Sequence, residues 1–277
     1  MSDISNIKKE LNRIKESESQ KLPNSSDLVV MSALKKCYYA EHKPKQEAKM
    51  VYAIQLKNGE ALERIGLHAS AMVHEKDFCY RQQVLSLFFK MSQGEELSLK
   101  SKCIFEEGNA IHEKWQRLFI RGGLGTYKDM DSTQLKPEYD LSFTPDAILT
   151  ISGKKYICEI KSMNTFAFQK AKGHPAGRKQ CMLYEYLTGI HNGFVLMEDK
   201  NNQEFKIEMV PYDFSEIATA VEHLEAIQEY KQNFLDTKKP PQRCSNCKSY
   251  DCKRAKDCQM RDACWNQGMG RISIRKK

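Results

Sequence analysis

Between Thr144 and Lys161 the chain reads Thr-Pro-Asp-Ala-Ile-Leu-Thr-Ile-Ser-Gly-Lys-Lys-Tyr-Ile-Cys-Glu-Ile-Lys, and three of its side chains could perform hydrolytic chemistry together. The pattern predicts two strands joined by a two-residue hairpin turn at Ser152-Gly153. Such a turn sets Ile151 opposite Lys154 and Asp146 opposite Glu159. Side chains alternate along a strand, so Glu159 and Lys161 share one face while Tyr156, Cys158 and Ile160 share the other. Two carboxylates held opposite each other repel. A divalent cation removes that objection, because hard cations such as Mg²⁺ are held by carboxylates together with substrate phosphate. Lys161 is then placed to touch an attacking water or a phosphate. The competing reading is an ordinary surface hairpin with a solvated Glu and Lys, and the rest of the chain has to decide.

Other residues with chemical potential sit on elements whose periodicity can be read. Gly108 to Ile120 has a helical apolar stripe of Ile111, Trp115, Leu118 and Phe119, with His112 at its flank. His112 is either a core-edge histidine or a further metal ligand. Arg178 to Thr188 reads as a helix after a Gly- and Pro-containing loop. Its Gln180 and Tyr184, four apart, share a face and could pair with phosphate or with Lys161. After Asp77 a helical pattern opens with Cys79 in its first turn and Arg81 close behind.

The remaining elements form a frame. Residues 1 to about 22 read as a polar helix with a thin stripe of Ile4, Ile7, Leu11 and Ile14. Pro23-Asn-Ser-Ser-Asp27 precedes a helix from Leu28 to about Glu41. Met50–Leu56 and Ala61–Ile65 alternate around Asn58-Gly59 as a hairpin. Gly193–Glu198 and Phe205–Val210 read as strands. Asp213 to about Leu235 reads as a long helix, stopped by Lys238-Lys-Pro-Pro241.

Of the 277 residues, 40% are hydrophobic and 29% charged, as in a water-soluble globular protein. No apolar run approaches membrane-spanning length, and the first residues lack the apolar segment of a signal peptide, so a cytoplasmic location is expected. The net charge of +8 is concentrated: Lys238 to Lys277 holds 12 Lys or Arg against three Asp, leaving the remainder near neutral. Such a block suggests nucleic acid, with a solvated basic tail as the bland alternative. Five of the ten cysteines, Cys244, Cys247, Cys252, Cys258 and Cys264, fall within 21 residues. In a reducing compartment that clustering points to metal rather than disulfides. Cys37, Cys103, Cys158 and Cys181 are scattered, as buried small hydrophobes usually are.

In chain order these features are a lone cysteine before Tyr-Arg, Gly108-x-x-x-His112, Pro145-Asp146, Glu159-Ile-Lys161, Gln180-x-x-x-Tyr184, and a cysteine-rich end. This series resembles the PD-(D/E)XK nucleases of the RecB-like branch, and most of all the CRISPR-associated iron–sulfur exonucleases and their phage-borne relatives. The resemblance runs from about Cys79 to Cys264. It implies a restriction-endonuclease-like α/β core, a mixed sheet flanked by helices, over about residues 71–237. An N-terminal helical and hairpin addition over 1–70 would precede it, and a basic cysteine segment over 238–277 would pack back on it through Cys79. It implies that His112, Asp146, Glu159 and the backbone carbonyl of Ile160 hold Mg²⁺ or Mn²⁺ while Lys161 positions water, with Gln180 and Tyr184 assisting. It also implies a [4Fe–4S] cluster on Cys79 and three of the later cysteines, drawn from Cys244, Cys247, Cys258 and Cys264. Zinc on four of the five C-terminal cysteines is the competing assignment.

The expected function is therefore a metal-dependent deoxyribonuclease, an exonuclease on single-stranded or frayed ends in recombination, repair, replication or foreign-DNA processing. The partners expected are DNA and a helicase or recombination protein, with no membrane. Arg81, Lys253, Arg254 and Arg261 could grip phosphates. Tyr80 or Trp265 could stack a base, with a core role equally open to each. Lys155 and Lys170 carry little weight, since surface lysines abound. The alternative is a non-catalytic nucleic-acid-binding platform whose structural zinc or iron–sulfur site recruits a partner.

Overall fold

The computed structural model describes residues 25–40, 66–73, 78–89 and 98–265. The helix expected over 1–22 and the hairpin expected over 50–65 lie outside the described residues. The first described helix, α1 (Ser25–Ala40), begins three residues before Leu28. It buries Val30 and Leu34 completely.

The central hairpin forms as its turn chemistry dictates. Strands β4 (Ala147–Ile151) and β5 (Lys154–Met163) pair antiparallel, with Ile151 opposite Lys154 and Ala147 opposite Cys158. Ser152 (φ 51°) and Gly153 (φ 78°) both take left-handed backbone, the geometry of a tight turn whose twist matches the strands. Strand β5 then pairs in parallel with β6 (Asn192–Asp199), which pairs antiparallel with β7 (Phe205–Pro211), giving the sheet order β4-β5-β6-β7. Parallel neighbours need a crossover. Here it consists of α5 (Thr165–Lys170) and α6 (Pro175–Thr188). Pro175 opens α6 three residues before Arg178, since proline suits the first helical position.

Helices cover both faces of this sheet, so its central strands are apolar on both sides. One face packs α1 and α4 (Leu99–Arg121) through Trp115, Leu118 and Phe119 onto Cys158, Ile160, Phe194 and Leu196. The other packs α6 and α7 (Ala218–Thr237) through Cys181, Leu183 and Leu224 onto Ile157, Val195 and Met197. The architecture is thus a mixed α/β fold around a mixed sheet. Three short strands, β1 (Leu67–His68), β2 (Gln134–Lys136) and β3 (Leu141–Phe143), add a small second sheet in the order β1-β3-β2. Runs of two or three residues carry no readable alternation, so sequence periodicity does not find them. Helix α4 starts nine residues before Gly108. Its first half exposes Leu99, Ile104 and Phe105, and Ser98 caps it through the Ser101 N–H. Remaining described helices are α2 (Ala69–Met72), α3 (Tyr80–Ser86), α8 (Lys253–Lys256) and α9 (Arg261–Trp265). Among the described residues no helix is long and apolar enough to cross a membrane.

Two buried carboxylates meet opposite fates. Glu198 accepts from Trp115 Nε1 and Lys114 Nζ, each at 2.5 Å, and so fastens α4 to β6. Glu185 on α6 is fully buried, and neither of its oxygens has a hydrogen-bond partner. Burial pushes its pKa up to about 8, with only Arg178 opposing. A carboxyl raised in the folded state stabilises fully below its unfolded value near 4.5, and that stability fades as pH climbs towards 8. Glu185→Gln removes the penalty. The variant is expected to gain on the order of 2–4 kcal/mol over the parent at pH 8 and almost nothing at pH 4.5. Urea unfolding at the two pH values checks this, and a gain independent of pH would contradict it.

Candidate functional site

The hairpin register brings the carboxylates together. Asp146 lies in the bend immediately before β4, which places it beside Glu159 on β5. Its Oδ2 accepts the Ile160 N–H at 2.6 Å, and its Oδ1 lies 3.2 Å from His112 Nδ1. Glu159 is 1% exposed, and its Oε1 accepts from Lys161 Nζ at 2.5 Å. Lys161 Nζ also reaches Gln180 Oε1 at 3.3 Å, and Gln180 Nε2 donates to the Tyr184 hydroxyl at 2.8 Å. Residues from α4, the bend before β4, β5 and α6 are thereby linked in one polar chain from His112 to Tyr184. Ile160 contributes its N–H, while its side chain is buried in the α4-facing core.

Electrostatics at this site are frustrated. Burial, followed by the charge of Asp146, pushes Glu159 up to about 8 against the pull of Lys161 and His112. Its second oxygen, Oε2, is buried without a hydrogen-bond partner. Burial pulls His112 down, but the Asp146 hydrogen bond and the charges of Asp146 and Glu159 outweigh it, so the imidazole is raised overall. Burial and Glu159 also raise Tyr184.

Three neighbours escaped sequence reading. Gln116 Nε2 donates to the Asp146 carbonyl at 3.0 Å, and its place four residues after His112 was a usable signal. Asp131, held at φ 44°, sends its N–H to the Asp146 carbonyl at 3.4 Å. Burial raises its carboxyl while Gln116 restrains it. His174 caps α6 beside Lys161. Neither Asp131 nor His174 had a local pattern to mark it.

Among the described residues, no three His, Cys, Asp or Glu side chains are grouped so as to hold a metal as they stand. At the carboxylate site this follows from the internal pairs, His112 with Asp146 and Lys161 with Glu159. The donor set nevertheless suits a hard divalent cation: an imidazole and two carboxylates, one of them with a buried oxygen lacking any partner.

The cysteine segment folds back on α3. Cys79 is the residue preceding α3, in extended backbone rather than in its first turn. Cys244 lies against Cys79, and burial followed by that neighbour raises it. Cys258 is raised by burial and lies near both Cys79 and Cys264. Cys247 neighbours both Cys252 and Cys244, and burial pushes it up to about 11. Arg81 donates to the Pro241 and Cys264 carbonyls at 2.9 and 3.1 Å. Arg254 reaches Gln82, and Arg261 pairs with Asp251 and stacks on Tyr250. Each of these arginines, expected on phosphates, has a partner within the protein: Arg81 and Arg261 in the C-terminal segment, Arg254 on α3. Lys253 is exposed. Tyr80 donates to or accepts from His223 Nδ1 at 2.8 Å and packs on Phe78 and Tyr230, a structural role. Trp265 lies under the Arg243 guanidinium.

No protein family matches the chain, and no curated protein matches it. Solved structures give distant likenesses. A crystal structure of SSO0001 is 12% identical with a TM-score of 0.39, over 86% of this chain and 96% of that one. Two crystal structures of the alkaline exonuclease LHK-Exo from Laribacter hongkongensis have a TM-score of 0.43. They cover 62% of this chain; the one in complex with dAMP is 16% identical over 90% of its length, the other 17% over 92%. Likenesses at these scores carry no functional argument, which stays with the side chains.

Asp146→Asn removes the charge that raises His112 and leaves at most a neutral, weaker acceptor for its Nδ1–H. In metal-free protein the His112 pKa is expected to fall, as read by imidazole NMR titration. An unchanged value would separate the two residues.

Proposed function

We propose that the chain is a divalent-cation-dependent deoxyribonuclease of the PD-(D/E)XK type, RecB-like branch, working as an exonuclease on single-stranded or frayed DNA ends. The observation that carries this reading is Glu159 Oε2, a buried carboxylate oxygen without a partner, beside Asp146 and with Lys161 on its sister oxygen. An unsatisfied buried acceptor costs about 1–3 kcal/mol, and unlike the unpartnered oxygens of Glu185 this one stands beside a second carboxylate and a lysine.

In this reading His112, Asp146, Glu159 and the Ile160 carbonyl hold Mg²⁺ or Mn²⁺. The cation supplies a nucleophilic water at neutral pH and offsets charge developing on the phosphate. Lys161 donates from its ammonium to the nucleophile or to a phosphate oxygen. Gln180, anchored on Tyr184, keeps that ammonium at the mouth of the site rather than collapsed wholly on Glu159. Gln116 fixes the Asp146 backbone, so the carboxylate does not retreat from its opponent. DNA is the partner, with a helicase or recombination protein behind it, in repair, recombination, replication or foreign-DNA processing.

The cysteine segment completes the proposal. We assign a [4Fe–4S] cluster, with zinc as the rival metal, to Cys79, Cys244, Cys258 and Cys264. What supports this set is that Cys244 and Cys258 neighbour Cys79 directly, whereas Cys247 neighbours Cys244 and Cys252. Such a centre would staple residues 238–277 to the nuclease core over 71–237.

End-labelled single- and double-stranded DNA incubated with Mg²⁺ or Mn²⁺ tests the activity. Wild-type cleavage is expected, with Lys161→Ala slowed by roughly 10²- to 10³-fold, the scale of losing one charge-stabilising donor. Equal cleavage by the variant would remove Lys161 from the chemistry. For the second centre, anaerobically purified protein is expected to contain iron and acid-labile sulfide. Both should be lost in Cys258→Ala and retained in Cys247→Ala. Stoichiometric zinc without iron would replace the cluster assignment.

A further inference from the structure

His174 stands outside every motif in the sequence, yet the fold spends several interactions on holding its ring beside Lys161. Its Nδ1 accepts the Gly177 N–H at 2.9 Å, and its own backbone N–H donates to Glu208 Oε2 at 2.8 Å. Glu208 lies so close beneath Gly173 that a Cβ there would meet its carboxylate at 2.5 Å, so a side chain at 173 would push that carboxylate off the His174 N–H. The other Glu208 oxygen lies 3.7 Å from Arg178 Nη1. A Cβ added at Gly177 would stand 3.0 Å from His174 Nδ1 and 3.3 Å from Lys161 Cε. The imidazole and the lysine stem therefore lie side by side, separated only by the bare α-carbon of Gly177.

A ring nitrogen that accepts a backbone N–H cannot carry the proton, so in neutral His174 the proton is on Nε2. Burial and then the charge of Lys161 hold the group below its ordinary pKa, so it is neutral at working pH. Capping a helix does not require this: Ser, Asp or Asn caps as well with a smaller side chain. What an imidazole adds is a second, rigid N–H on the far side of the ring.

We infer that His174 binds substrate, its Nε2–H donating to a non-bridging oxygen of a DNA phosphodiester next to the one served by Lys161. The ligand class is a nucleic-acid phosphate, and the inference rests on the nuclease reading. A neutral donor fits this position because a second full charge beside Lys161 would be repelled by it, whereas an N–H to an anionic phosphate oxygen is a charge-assisted bond.

His174→Asn separates this role from the cap. Asparagine retains an acceptor for the Gly177 N–H and lacks the distal N–H; His174→Ala lacks both. Steady-state cleavage of single-stranded DNA with Mn²⁺, alongside thermal unfolding, is the experiment. The expected result is a kcat/KM about tenfold below wild type in His174→Asn, from the loss of one hydrogen bond to a charged group. Its unfolding temperature should stay near wild type, and His174→Ala should be equally impaired in kcat/KM but less stable. Wild-type kinetics in His174→Asn with a defect only in His174→Ala would reduce His174 to a cap and overturn the inference. Wild-type protein that cleaves nothing would instead remove the nuclease reading, and this inference with it.

Discussion

Two carboxylates placed opposite each other, one in the bend before β4 and the other almost wholly buried on β5, are the constraint on which the rest depends. Asp146 and Glu159 cannot both ionise comfortably in this position: burial first, and the Asp146 charge second, push Glu159 up to about 8. The fold does not relieve it. One oxygen of Glu159 is left without a partner, and Lys161 neutralises only the other. In the proposed reading, a divalent cation would relieve this condition.

The scaffold around the conflict removes the ways it could relax. The type of turn at Ser152-Gly153 fixes the register, and a slip of one residue would send Glu159 into the α4-facing core. Helix α4, fastened to β6 through Trp115 and Glu198, presents His112 and Gln116 to Asp146. Helix α6, docked by its apolar side, brings Gln180 to Lys161 and His174 alongside it. On the far end, Arg81 and Arg243 both converge on the Cys264 carbonyl, closing the cysteine segment onto α3. Geometry at the site is thus the product of strand register plus two helix dockings.

The parts of this arrangement legible in the sequence are those set by local rules. Strand alternation and a two-residue turn are enough to pair Asp146 with Glu159, and i,i+4 spacing is enough to join Gln180 to Tyr184. Residues that reach the site through tertiary packing are another matter. Asp131 arrives from an irregular turn with left-handed backbone, and His174 from a loop shaped by Glu208 two strands away. The partners of the arginines are hidden for a related reason. Charge counts show where cations lie along the chain, but not that Arg81 of α3 bonds carbonyls of the C-terminal segment, that Arg254 bonds Gln82 of α3, or that Arg261 bonds the Tyr250 carbonyl. Short strands such as β2 and β3 exist because the small sheet pairs them, not because three residues encode a strand.

The central claim is that the buried carboxylate pair awaits a divalent cation. Calorimetric titration of metal-free protein with Mn²⁺ at pH 7, repeated in buffers of different ionisation enthalpy, measures both binding and the protons it displaces. Glu159 and His112 both hold protons more tightly than usual here, so one-site binding with net proton release is expected, and Glu159→Gln should bind far more weakly and release fewer protons. Mn²⁺ binding that is unaffected by Glu159→Gln, or no binding to folded wild-type protein, would contradict the account.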